Sequence, residues 1–131
     1  SETKILLVED NRINQIVAKQ MLKHFNLACD VANNGSEALA KLKVSSHINM
    51  PYTIVLMDCQ MPVMDGYETT INIRSGVCGE LHQDIPIIAM TANAMTGDKE
   101  KCLETGMNDY FTKPIDQEAI FTILKKWIKH E

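Results

Sequence analysis

Short apolar runs alternate with amphipathic stretches along the chain. Three of the runs are continuous and cover residues 4–8, 53–57 and 85–90. Continuous apolar runs of this length are typical of strands that are buried on both faces of a parallel sheet. Two weaker runs, residues 27–32 and 109–112, are interpreted as further strands. The pattern therefore predicts five strands.

The segments between the runs show helical periodicity. Three apolar stripes stand out, at positions 13, 16, 17, 21 and 25, at 38, 39 and 42, and at 120, 123, 124 and 127. Each stripe predicts an amphipathic helix. Residues 95–104 are more polar, and we predict a helix there with few apolar anchors.

We interpret the pattern as βαβαβαβαβα, in which the stretches above mark four of the five helices. Such alternation is typical of an α/β fold in which parallel strands are joined by right-handed crossovers and helices cover both faces of the sheet. In open sheets of this kind, ligands bind beyond the carboxyl ends of the strands. The candidate site is therefore sought where the strands end.

The composition of the chain argues against several functional classes. The 131 residues suit one domain, and the formal charge of −4 without a Lys/Arg cluster argues against direct nucleic-acid binding. No apolar run is long enough to span a membrane and no secretory leader is visible, so we expect a cytoplasmic domain without membrane contact. The four cysteines form no CxxC pair and are expected to be free thiols, and the four histidines are expected at the surface.

Polar residues follow the strong strands at the point where each ends. Glu9 and Asp10 follow the first, Asp58 the third and Thr91 the fourth, while Lys113 follows the weak fifth strand. The carboxyl ends of parallel strands lie at one edge of a sheet, so these side chains should converge.

Crowded carboxylates repel one another and need a compensating charge. Mg²⁺ prefers oxygen ligands and takes one or two carboxylates while keeping several waters, and Lys113 adds a second positive charge. An aspartate can act as a nucleophile toward phosphorus. The cluster therefore predicts a magnesium-dependent acidic pocket in which Asp58 accepts a phosphoryl group.

Four segments carry a family resemblance: VEDN at 8–11, MDCQMPVMDG at 57–66, MTANA at 90–94 and YFTKP at 110–114. With these motifs in this order, the chain resembles the receiver domain of bacterial response regulators and hybrid histidine kinases. The resemblance implies one receiver domain over residues 1–131, with a flavodoxin-like (βα)5 three-layer sandwich. It also implies a five-stranded parallel sheet of order 2-1-3-4-5.

The resemblance also implies roles for single residues. Asp58 matches the phosphoacceptor, and Thr91 and Lys113 match the pair that contacts the phosphoryl group. Mg²⁺ would be held by Glu9, Asp10, Asp58 and the backbone carbonyl of Gln60. Thr91 and Tyr110 match the switch residues, and the Lys113-Pro114 peptide is expected to be cis.

The implied partners are a histidine kinase or a histidine phosphotransfer domain as donor, and a downstream protein. Phosphorylation would change the face formed by the fourth helix, fifth strand and fifth helix of the pattern. An isolated domain of this family is not an enzyme, although it supports its own phosphoryl transfer and dephosphorylation. The particular residues in these motifs favour a hybrid-kinase receiver, which would be the cytoplasmic part of a sensor kinase. A stand-alone regulator and a homodimer stay open alternatives.

Other functions fit less well. A haloacid-dehalogenase-type phosphatase needs a second Asp two residues after the nucleophile, where Gln60 stands. A flavodoxin-like FMN carrier needs a Ser/Thr/Gly-rich loop after the first strand, where Glu9 and Asp10 would repel phosphate. An interaction module that works without phosphorylation would have lost Asp58, Asp10 or Lys113, and all three are present.

Overall fold

The computed structural model describes residues 3–61, 63–92 and 98–128, with the backbone alone at 98. Five strands form one parallel sheet of order β2-β1-β3-β4-β5. The strands are β1 (Ile5–Val8), β2 (Cys29–Ala32), β3 (Ile54–Asp58), β4 (Ile87–Thr91) and β5 (Asp109–Thr112). The predicted fold class and strand order are confirmed.

Six helices flank the sheet: α1 (Arg12–His24), α2 (Gly35–His47), α3 (Gly66–Arg74), α4 (Glu80–Gln83), α5 (Asp98–Thr105) and α6 (Gln117–Trp127). The short α4 is additional to the five-helix pattern, so the predicted fourth and fifth helices are α5 and α6. Residues 93–97, which include the first part of the predicted fourth helix, lie outside the described residues. No helix in the described ranges combines the length and apolar character that crossing a membrane requires.

The central strands are apolar, except for the last residues of β3 and β4, because both of their faces are covered. Leu6 and Val8 of β1 pack with α2, α3 and α5, whereas Ile5 and Leu7 pack with α1 and α6. Successive strand residues point to opposite faces, so a strand with helices on both sides has no face on which a polar side chain would reach water. This explains why β1, β3 and β4 were visible as continuous apolar runs.

The apolar stripe of α1 does not face the core along its whole length. Leu22 is fully buried, but Ile13 is 71% exposed and Ile16 46% exposed. The helix itself is confirmed, and Asn11 caps it by accepting a hydrogen bond from the Asn14 amide at 3.1 Å. The first two turns of α1 therefore present apolar side chains to solvent.

The segment between α3 and β4 is held by one arginine. The guanidinium of Arg74 donates two hydrogen bonds to the Gly106 carbonyl, at 2.9 and 2.8 Å, and one each to the carbonyls of Gln83 and Ile85 and to Asn108 Oδ1. Arg74 thus joins the end of α3, the end of α4 and the loop after α5.

His82 is buried, so the surface assignment from sequence is wrong for this histidine. His24 and His47 are exposed as expected, and His130 lies outside the described residues. The Nε2 atom of His82 accepts a hydrogen bond from the Tyr52 amide at 3.0 Å. That bond needs a neutral ring with its proton on Nδ1, close to the Cys78 backbone. Burial lowers the pKa of His82, and Lys4 acts in the same direction against the Cys78 contact.

This histidine makes stability dependent on pH. Below the ordinary pKa of 6.5 the unfolded chain binds a proton that the folded chain resists, so stability falls as the pH drops through this range. We expect urea unfolding of the wild type to lose stability between pH 7.5 and 5.5, and His82→Gln to lose less over the same interval although it is less stable at pH 7.5. Exposed His47→Gln is the control, and equal pH responses of all three proteins would contradict this role.

Candidate functional site

The parallel sheet brings the predicted polar strand ends to one edge. Asp58 and Thr91 are the last residues of β3 and β4, and Glu9 follows β1 directly. The register pairs Val8 with Met57 and Asp58 with Met90, so these ends lie side by side. The amide of Lys113 donates to the Thr91 carbonyl at 2.8 Å, which holds the lysine beside the same edge.

Three carboxylates form a cluster at this edge. One oxygen from each of Glu9, Asp10 and Asp58 lies within 4.8 Å of the others. Glu9 and Asp58 are each 1% exposed, while Asp10 is exposed to solvent. Such a set offers only hard oxygen ligands and combines two buried carboxylates with one that faces the solvent. It can hold a small divalent cation.

Lys113 bridges the two buried carboxylates. Its Nζ lies 3.0 Å from Glu9 Oε1 and 3.1 Å from Asp58 Oδ2. Among the described residues, neither oxygen has another hydrogen-bond partner. When both carboxylates are ionised, two buried negative charges share one ammonium group, and the pocket then carries an excess of negative charge that a bound cation would balance.

The pKa values of the site reflect this crowding. Burial raises the pKa of Asp58 to about 7, with the Glu9 carboxylate acting in the same direction against the Gln60 amide and Lys113. Burial also raises the pKa of Glu9, but its contacts with Asp58, the Asn11 amide and Lys113 outweigh burial and leave the pKa lowered. Burial lowers the pKa of Lys113, and the two carboxylates more than reverse that effect. When the pair of carboxyls holds one proton, these shifts place it on Asp58 rather than on Glu9.

Backbone groups orient the two buried carboxylates. The Asn11 amide donates to Glu9 Oε2 and the Gln60 amide donates to Asp58 Oδ1, both at 3.1 Å. The side-chain amide of Gln15 donates to the Glu9 carbonyl at 2.6 Å and to Asn33 Oδ1 at 2.8 Å. Sequence reasoning missed Gln15, because a polar residue within a helix carries no signal for such a contact.

The loop after Asp58 is closed tightly at its base. The Gly66 amide donates to the Cys59 carbonyl at 3.2 Å, and a Cβ atom at Gly66 would lie 2.5 Å from the Asp58 carbonyl oxygen. Only glycine allows this approach between the start of α3 and the end of β3. Within the loop, Val63 has a φ of 74° and is 84% exposed, whereas Pro62 lies outside the described residues.

The remaining predicted positions surround this pocket. Thr91 is buried at the end of β4, and half-buried Tyr110 packs against the core cluster on the α2–α5 side of the sheet. The Lys113-Pro114 peptide is cis, as expected. Gln60 lies next to the pocket through its amide contact with Asp58.

Two thiols are in contact beside the pocket, and sequence reasoning, which expected a buried structural thiol at Cys59, did not predict its contact with Cys102. The Sγ atoms of Cys59 and Cys102 lie 3.8 Å apart, and the Tyr67 hydroxyl is within hydrogen-bonding reach of both sulfurs. All four cysteines are free thiols, and burial raises the pKa of Cys59 to about 12. The residues lie 43 positions apart, so no local sequence pattern indicates the contact.

Comparison with known proteins agrees with this geometry. The family model described as the response regulator receiver domain matches residues 5–125. The chain is 42% identical to hybrid signal transduction histidine kinase B of Dictyostelium discoideum over an alignment of 132 positions, which covers 94% of this chain and 6% of that kinase. The chain thus spans only a small part of the curated relatives that it matches.

Solved structures show the same architecture. One is the receiver domain of a sensor histidine kinase from Pseudomonas aeruginosa, which has a magnesium ion coordinated in its active site cleft. It is 40% identical to this chain, with a TM-score of 0.83, and the match covers 97% of this chain and 98% of that one. The receiver domain of a Saccharomyces cerevisiae response regulator, crystallised with the histidine phosphotransfer protein Ypd1, is 31% identical with a TM-score of 0.81 over 96% of this chain and 88% of that one. Matched across its core by the family model and by these relatives, the chain belongs to the response regulator receiver domain family.

Proposed function

We propose that this chain is a single receiver domain over residues 1–131 that accepts a phosphoryl group on Asp58 in phosphorelay signalling. The observation that carries the proposal is the placement of the Asp58 carboxylate. It is buried at the end of β3 beside two further carboxylates, with the Lys113 ammonium 3.1 Å away. A nucleophilic carboxylate, a cation site and a fixed positive charge are the parts that phosphoryl transfer needs.

Mg²⁺ fits the residues at this site. Glu9, Asp10 and Asp58 supply oxygen ligands within 4.8 Å of one another, and the excess negative charge of the buried pair needs a cation. The backbone carbonyl of Gln60 is proposed as a further ligand. When bound, the ion neutralises charge on the transferring group and on Asp58. The same ion is coordinated in the Pseudomonas aeruginosa receiver domain.

The side chains of this domain position and stabilise the transfer. An Asp58 oxygen forms a bond to the phosphorus atom of a partner's phosphohistidine while the phosphorus–nitrogen bond breaks, and the electron pair leaves on the imidazole nitrogen. Lys113 moves its ammonium from the carboxylate to a phosphoryl oxygen, and the Thr91 hydroxyl takes another oxygen. The domain supports transfer to and hydrolysis from its own aspartate and turns over no separate substrate. Catalysis of this kind depends on positioning and on charge neutralisation.

The exposed apolar face of α1 is proposed to bind the phosphoryl donor. Ile13, Ile16 and Val17 are 71%, 46% and 36% exposed in the first two turns of a helix that begins three residues after Glu9. An apolar patch beside the pocket would hold a partner that must present its phosphohistidine to Asp58. A histidine phosphotransfer domain is the partner that we propose, and the yeast receiver crystallised with Ypd1 offers a parallel.

Phosphorylation is proposed to change the α5–β5–α6 face. Thr91 ends β4, and half-buried Tyr110 lies on the neighbouring strand β5. Movement of the Thr91 hydroxyl toward the phosphoryl group would leave space into which the Tyr110 ring turns. The new position of the ring would alter the contacts of α5, which a downstream partner reads.

We propose a hybrid histidine kinase as the parent protein, with this domain in the cytoplasm, because the relatives that it matches are kinases of this type. A full-length gene product without a kinase core would favour the stand-alone regulator instead.

The first prediction concerns the acceptor. With acetyl phosphate and Mg²⁺ the wild type should gain one hydroxylamine-labile phosphoryl group, as expected of an acyl phosphate, and Asp58→Asn should gain none. The matched control Asp84→Asn changes an exposed aspartate before β4, at the other end of the sheet, and should behave as the wild type. Intact-mass spectrometry with and without chelator measures the transfer. A phosphorylated Asp58→Asn protein would contradict the assignment.

The second prediction concerns donor binding. Ile13→Ala should slow phosphoryl transfer from a histidine phosphotransfer domain by about tenfold, because loss of a buried isoleucine contact weakens binding by roughly 1.5 kcal/mol. Phosphorylation by acetyl phosphate should not change. The control Ile71→Ala alters an equally apolar residue that is 57% exposed on α3. If both variants slow the transfer equally, α1 is not the docking face.

The third prediction concerns the switch. Beryllofluoride and Mg²⁺ should shift the NMR resonances of the Tyr110 ring and of the amides in α5 and β5 in the wild type. Thr91→Ala should reduce these shifts while still binding Mg²⁺, because the hydroxyl that couples the pocket to Tyr110 is gone. Thr122→Ala, an exposed change on α6, serves as the control. Undiminished shifts in Thr91→Ala would show that the coupling follows another route.

A further inference from the structure

Helix α5 buries few of its described side chains in the domain. Within its described side chains, residues 99–105, only Cys102 is buried, with 1% exposure, and Leu103 beside it is 46% exposed. Lys101 Nζ lies 4.2 Å from the centre of the Tyr67 ring. At the C-terminal end of the helix, Arg74 holds the Gly106 carbonyl. The middle of α5 therefore depends on the Cys102 thiol for its contact with the core.

The Cys102 thiol meets a second thiol. Cys59 Sγ lies 3.8 Å away, which is van der Waals contact between sulfur atoms, and Cys59 is itself 1% exposed. The bond length of a disulfide is about 2.05 Å, so closing the pair needs a further approach of about 1.8 Å. Side-chain rotation together with a small displacement of the weakly held α5 can supply it. Cys59 follows β3 directly and is held beside β4 by its amide bond to the Met90 carbonyl, so α5 is the element that would move.

We propose that Cys59 and Cys102 form an oxidisable dithiol, which a hydroperoxide converts to an intramolecular disulfide that ties α5 to the residue after Asp58. This assignment goes beyond phosphoryl transfer, because neither formation of the disulfide nor its effect on α5 requires a phosphoryl group.

The chemistry proceeds in two balanced steps. The Cys102 sulfur attacks the terminal oxygen of the hydroperoxide, the O–O bond breaks, and the products are a sulfenic acid at Cys102 and an alcohol, or water when the oxidant is hydrogen peroxide. The Cys59 sulfur then attacks the sulfenic sulfur, the S–O bond breaks, and water leaves with the thiol proton. Two thiols lose two electrons and two protons in total, and the hydroperoxide accepts both.

The structure assigns the first step to Cys102. Its helix can move away from the core, whereas Cys59 is fixed by the ladder between β3 and β4 through its amide bond to the Met90 carbonyl at 3.0 Å. While both thiols are packed together, burial limits their reaction. The rate of oxidation should therefore depend on how often α5 moves away from the core. Once formed, the disulfide should hold α5 against the core.

The other two cysteines provide controls within the same chain. Cys78 is also buried, but its sulfur contacts the Leu39 carbonyl at 3.6 Å. Cys29 is half-buried on the edge strand β2. If exposure alone decided the reaction, Cys29 would be oxidised first. If the dithiol contact decides it, the Cys59–Cys102 pair forms the disulfide.

The experiment treats the reduced wild type with hydrogen peroxide, in the absence of any phosphoryl donor, and maps the products by nonreducing peptide mass spectrometry. We expect an intramolecular Cys59–Cys102 disulfide at about ten times the yield of any other pair. Hydrogen exchange of the α5 amides should slow by about tenfold in the oxidised protein and return to its original rate after dithiothreitol. The reversal is measured on the wild type, so it does not depend on the folding of a variant.

Three variants sharpen the test. Cys59→Ser should leave a Cys102 sulfenic acid that a dimedone probe captures, Cys102→Ser should remove the disulfide, and Cys78→Ser should leave it unchanged. A chain that keeps Cys59 and Cys102 reduced while Cys29 reacts would overturn the proposal. Unchanged exchange of α5 in a disulfide-linked protein would overturn the tether. Failure of phosphorylation at Asp58 would affect neither result.

Discussion

The ammonium of Lys113 between two buried carboxylates is the interaction on which the rest of this molecule depends. A sheet that ends in Glu9 and Asp58, both almost fully buried, would carry two uncompensated charges without it. Removing one member of such a group leaves a buried charge unpaired, which is costly. The Lys113 ammonium stabilises the folded pocket by pairing with the carboxylates. Because one positive charge does not neutralise both of them, the remaining negative charge attracts a cation. Burial and the neighbouring Glu9 carboxylate keep the pKa of Asp58 high, and the excess negative charge attracts a cation, which would in turn offset the charge of an incoming phosphoryl group.

Much of this architecture could be predicted from the order of residues, because both faces of β1, β3 and β4 are covered and their sequences have to be apolar, except for the last residues of β3 and β4. The strand ends could be predicted for the same reason, since a polar residue after such a run must lie at the edge of the sheet. Features that depend on distant partners were missed. In the sequence, His82 cannot be told from a surface histidine, because its partner is the distant Tyr52 amide. The apolar stripe of α1 predicts the helix, but it does not show that the first two turns leave apolar side chains exposed.

The domain divides into a well-packed part and a loosely held part. α1 and α6 cover one face of the sheet and α2 and α3 the other, whereas α5 contributes a single buried cysteine from its described side chains. Elements that move in a response come from the least stable part of a fold. Arg74 limits that freedom at the C-terminal end of α5 through its bonds to the Gly106 carbonyl. The helix can therefore be displaced while its end stays in place, which suits a surface that has two arrangements.

The close approach at Gly66 has a consequence for how this domain can diversify. Because the start of α3 rests on the backbone of Asp58 and Cys59, the connecting segment is pinned at both ends. Gln60, at the start of this segment, holds Asp58 through its amide, whereas Val63 extends into solvent. A change of side chain at Val63 therefore alters the outer surface of the domain while the backbone contact at Gly66 and the bond to Asp58 stay in place.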